Sequence, residues 1–115
     1  MTTINTSNGA LDAVGITGRI VISQQKIICP ITTGVTLASL CTGGVLPVNA
    51  VSCEIIADGG AIRIGLQFAQ LVTLLVGIPL ADQTSRIIDS SLLGVSVISA
   101  GAAAVNAQVI FFDRV

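Results

Sequence analysis

The chain has 115 residues, a length that suits one domain with one modest core, since domains commonly hold about 100 to 150 residues. Hydrophobic residues make up 52% and charged residues 10%, against about 25% charged in ordinary soluble proteins, so there is too little charge to cover a monomer's surface. The net charge of -1 comes from scattered residues, and the lone lysine, Lys26, with Arg19, Arg63, Arg86 and Arg114 forms no patch that could track phosphates, which excludes nucleic acid as a partner.

In chain order, residues 1–17 read as an extended N-terminal arm. Its opening eight residues are polar and rich in Thr, Asn and Ser, without the basic start and apolar stretch of a secretory signal. Residues 18–115 read as a single β domain, because Val, Ile and Thr recur in short runs broken by Gly, Pro, Asn and Asp. A first strand is expected over 19–28, with Gln24, Gln25 and Lys26 outward and Pro30 as its stop. A second strand is expected over 32–40, a loop over 42–49 and a third strand over 51–57, with Asp58-Gly59-Gly60 as a hairpin turn.

The clearest alternation follows. Ile62, Ile64, Leu66 and Phe68 fall on one face, expected in the core, and Arg63, Gly65, Gln67 and Ala69 on the other. Residues 71–76 are apolar on both faces of a strand, which implies cover on both. A turn around Pro79 is expected over 77–82 and an edge strand over 85–89. A strand over 95–99 is expected to pair across Ala100-Gly101 with a last strand over 103–112, in which Val105, Ala107, Val109 and Phe111 alternate with Asn106, Gln108 and Ile110. The Ala-rich stretch 100–104 could favour a helix, but its β-branched neighbours and glycines argue for strand. The sum is an all-β fold, a small antiparallel β-sandwich or barrel of jelly-roll-like kind.

Chemistry is hard to place on this chain. It has no histidine, no carboxylates at motif spacing, and no activator for a serine or cysteine nucleophile beyond Lys26. Its Gly-Gly pairs lack the context of a phosphate loop. Cys29, Cys41 and Cys53 are odd in number, which excludes a closed disulfide framework, and no Cys-x-x-Cys offers zinc ligands. They read as reduced, buried small hydrophobes, which fits synthesis in a cytoplasm; a bridge between subunits through one of them is the alternative. No enzymatic activity, cofactor or metal is expected.

Three settings tolerate so apolar a chain: a bilayer, an assembly whose subunit surfaces are mostly interface, or a misfolding-prone chain kept soluble by partners, and the first two carry the weight. Residues 90–112 are long enough to cross a bilayer as a helix. They carry Ser90, Ser91, Ser96, Ser99, Asn106 and Gln108, groups that are costly in hydrocarbon, and the chain has no Trp or Tyr for an interfacial belt. Assembly is the better reading. Thr2 and Ile4 of the arm, with Leu71, Val72, Leu74 and Val76, are the candidate interface residues, because neither segment has an evident role inside one small sandwich.

Three stretches, Ala57-Asp58-Gly59-Gly60-Ala61-Ile62-Arg63, Val76-Gly77-Ile78-Pro79-Leu80 and the run from Ala103-Ala104-Val105 to Phe111-Phe112, resemble small β-sandwich virion proteins of tailed bacteriophages that decorate or cement the capsid. The resemblance covers roughly the C-terminal half. Where that pattern has an Asp-Gly turn and terminal tyrosines, this chain has Gln67-Phe68-Ala69 and Phe111-Phe112. The resemblance implies a homo-oligomer such as a trimer, bound to the major capsid protein or other virion proteins and located in the virion after synthesis in the host cytoplasm. A tail, fibre or head-completion subunit is the nearest alternative, and a small integral membrane protein the next.

Overall fold

The computed structural model describes residues 19–67 and 70–114. The expected arm, with Thr2 and Ile4, lies outside the described residues, as does Phe68. The described residues form eight strands: β1 (Arg19–Cys29), β2 (Val35–Thr36), β3 (Ser52–Asp58), β4 (Ile62–Gly65), β5 (Ile78–Leu80), β6 (Ser85–Ile88), β7 (Ser96–Ser99) and β8 (Val105–Arg114).

All pairings are antiparallel and form two four-stranded sheets, ordered β1-β8-β3-β6 and β2-β7-β4-β5. β1 pairs with β8, β2 with β7, β3 with β6 and β4 with β5, so the chain is one long nested hairpin rolled up on itself. That connectivity is a jelly roll, one of the ways an antiparallel fold limits its exposed edges. The nesting makes the β4–β5 connection the innermost loop of the whole hairpin.

The core lies between the sheets and follows strand alternation. β3 supplies Cys53, Ile55 and Ala57; β8 supplies Val105, Ala107, Val109 and Phe111; Ile62 and Ile64 of β4, Val97 of β7 and Val95 just before β7 face them. Register places Cys53 opposite Phe111 and Ile55 opposite Val109, so β3 and β8 present matched apolar pairs across the ladder. β8 is central in its sheet, and the alternate set Val105, Ala107, Val109 and Phe111 is buried throughout.

Several expectations are corrected. The second strand is only two residues long, because Thr36 Oγ1 accepts the Ser39 N–H at 3.3 Å and caps a single helical turn, α1 (Leu37–Leu40). Asp58-Gly59-Gly60 is a crossover between sheets and not a hairpin turn, since β3 and β4 lie in different sheets. β7 and β8 are likewise in different sheets and do not pair, and the residues between them are bends, neither strand nor helix. Pro79 sits within β5, opposite Arg63; β5 is an edge strand, where a missing N–H leaves no ladder bond unmade. β4 stops at Gly65, so Leu66 leaves the core and is 39% exposed. Residues 71–76 form a loop and not a strand.

Candidate interaction surface

A hairpin closes with two to five residues, but β4 and β5 are joined by the longer, uncharged segment 66–77. The surplus folds back onto the outer face of the second sheet. Val72 is where it is pinned: its N–H donates to Ser96 Oγ at 2.8 Å, and it is 2% exposed. Ser96 lies on β7 between the inward-facing Val95 and Val97, so this bond is made on the outer side of the sheet. Every residue of β7 is buried, as a central strand covered on both faces must be.

Glycine makes the room for this contact. A Cβ on Gly65 would stand 2.6 Å from Ser96 Oγ and 2.9 Å from Val72 Cβ, and one on Gly77, at φ +139, would collide with Val72 Cγ2. Gly34 closes the slot from a third side, against the Val72 carbonyl. Arg63 Nη1 donates to the Gly77 carbonyl at 3.0 Å and fixes the end of the loop.

Beyond the pin, the loop forms a tight tip. The Thr73 N–H donates to the Val76 carbonyl at 3.0 Å, and Thr73 Oγ1 accepts the N–H groups of Leu75 and Val76 at 3.1 and 3.0 Å. Leu74 and Leu75 are left at the apex, where turns ordinarily carry Gly, Asn, Asp or Pro. Leu75 is 91% exposed, and burying such a side chain is worth about 1.5 to 3 kcal/mol. Leu66, Leu71, Val76 and Ile78 line a shallow groove beside the apex, with Gln67 and Gln70 among its polar members.

Of the interface residues expected from sequence, Leu71, Leu74 and Val76 are together on this exposed surface. Val72 is not; it is the pin, buried within the subunit. Leu75 and Leu66 belong to the surface and were missed. The signal for a pin was present in Gly65 and Gly77 flanking the segment, since glycine near a strand end marks close backbone approach.

Cys29, Cys41 and Cys53 are free and buried. Burial pushes the Cys29 thiol up to about 11 and the Cys53 thiol up to about 12, the latter also through nearby Cys41, whose own thiol is raised by burial. Thiols held protonated are poor nucleophiles. At the crossover after β3, Asp82 Oδ1 accepts the Gly59 N–H at 2.8 Å, which holds that carboxyl below its usual range, and the Gln83 amide donates to both Asp58 and Asp82. Among the described residues, no three His, Cys, Asp or Glu side chains are grouped to hold a metal ion, and no helix is long and apolar enough to cross a membrane.

The described residues form an eight-stranded jelly roll whose loop before β5 is pinned at Val72 and exposes apolar side chains. Compared with known proteins, the chain matches no family model, no curated protein and no solved structure.

Proposed function

We propose that the chain is a non-enzymatic structural subunit of a viral particle, a capsid decoration or cement protein that stabilises the head lattice through oligomeric contacts. The observation that carries the reading is the 66–77 loop. A loop held by a hydrogen bond to a buried serine, in a slot only glycine can leave open, shows two leucines to solvent. Exposed apolar surface on an ordered scaffold is suited to protein contact. The jelly roll adds support by analogy, since viral capsid proteins share that architecture with lectins. A glycan-binding use fits less well: among the described residues the aromatic side chains are Phe111 and Phe112, both fully buried, and neither offers a platform.

Quantitative mass spectrometry of washed, intact viral particles tests the proposal. The expected result is the chain in a fixed ratio to the major capsid protein, at a copy number set by lattice symmetry. Its absence from such particles would overturn the reading.

A further inference from the structure

The apolar loop is part of a larger asymmetry. Strand register brings the start of β1, the end of β8, the start of β3 and the end of β6 to one end of the sandwich, through the partners Arg19↔Arg114, Ser52↔Phe112 and Cys53↔Ile88. In the second sheet, Thr36↔Ser96 and Gly65↔Ser96 bring the ends of β2 and β4 to the start of β7. The short connection 89–95 joins β6 to β7 and packs beside Leu46, Ala50 and Val51, so both sheets end together there. Residues 37–51, 66–67, 70–77 and 89–95 therefore lie at this end, and Asp89 is their one charged residue.

The exposed large side chains follow the same division. Val45, Val48 (84% exposed) and Leu93 join the 66–77 leucines at this end, and Ile20, Val21 and Ile22 of β1 stand at its margin. Among the described residues, only Ile28 and Ile31 of the exposed large aliphatics lie at the opposite end, whose connections 30–34, 59–61, 81–84 and 100–104 are built mostly from Gly, Ala, Thr and other small or polar residues.

We infer that this apolar end is the surface through which copies of the chain associate, each end facing the same end of another subunit. The inference rests on the structural-subunit reading and names the partner. Area supports it: with the exposed aliphatic side chains named above, the end presents roughly 400 to 700 Å² of aliphatic surface. A standard interface takes about 800 Å² per partner, about 65% of it apolar in homodimers, a requirement of about 500 Å². Charge does not oppose it: the loops of this end carry only Asp89, and the strand ends beside them carry Arg19, Asp113 and Arg114, of both signs, so no single-sign field favours a charged partner. Shape completes the case. Self-association through one patch requires self-complementarity, and here a protruding Leu75 stands next to a groove lined by Leu66, Leu71 and Val76.

The test is size-exclusion chromatography with light scattering across a concentration series, without detergent, on the full chain and on Leu75→Asp, Val48→Asp and Ile28→Asp. All three side chains are exposed, so the fold survives each change, which circular dichroism verifies. The inference expects an oligomer for the full chain, association at least ten-fold weaker for Leu75→Asp and Val48→Asp, and no change for Ile28→Asp. A monomer at all concentrations, or equal loss with Ile28→Asp, overturns it. If that monomer is nonetheless found in particles, the partner is another virion protein and the structural-subunit reading stands. An oligomer absent from particles keeps this inference and removes that reading.

Discussion

At the scale of single residues, Val72 decides what the loop can be. Its N–H has one acceptor, Ser96 Oγ, in a place sealed from water, so Ser96→Ala leaves a buried donor unmet at a cost of about 1 to 3 kcal/mol. Gly77→Ala places a methyl against Val72 at a φ that L-residues avoid, costing a similar amount, about 1 to 3 kcal/mol. Both variants are expected to unfold at lower denaturant, and the Val72 amide is expected to exchange hydrogen faster. Unchanged exchange would show that the pin is not at Val72. The thiols give a pH prediction. Folded-state values of about 11 for Cys29 and about 12 for Cys53 stand above the ordinary 9.0, so the folded chain holds protons that the unfolded chain releases. Their contribution is complete below pH 9.0 and is lost as pH rises toward about 11 to 12. Denaturation midpoints measured from pH 8 to 11 should fall, and Cys29→Ala with Cys53→Ala should flatten that fall.

Among the elements, those set by one sheet's alternation were legible in the sequence. Val105, Ala107, Val109 and Phe111 alternate because β8 is packed on its inner face, and their order alone predicts it. The 66–77 loop was legible only in part. Its apolar character was plain, but period-two reading continued Ile62 and Ile64 into Leu66 and treated Val72 like its neighbours. What separates them is tertiary: β4 stops where Gly65 meets Val72 and Ser96, a contact between residues far apart in the chain. The Asp58-Gly59-Gly60 turn misled for a related reason, since turn residues announce a reversal of direction but not whether the next strand pairs in the same sheet. Replacing Leu74-Leu75 with Asn-Gly should keep the tip, whose bonds run through Thr73 and Val76, and remove its apolar apex. Thermal midpoints of the unmodified chain should rise with protein concentration, as association requires, while those of the Asn-Gly variant should not. Equal concentration dependence in both would move the contact away from the apex.

On the scale of the whole molecule, the sparse charge noted at the outset has a location. The few charged groups mostly lie on the strands and at the crossover near Asp58 and Asp82, while the loops of one end are almost free of them. The core packs as in any small jelly roll; the apolar surplus is what it leaves outside. The most direct measurement of that claim is thiol labelling of Leu75→Cys, because the native cysteines are buried and stay silent under native conditions. The account predicts that a maleimide dye reacts slowly at position 75 in the assembled protein and rapidly once dilution has dissociated it. Equally rapid labelling in both states would contradict it.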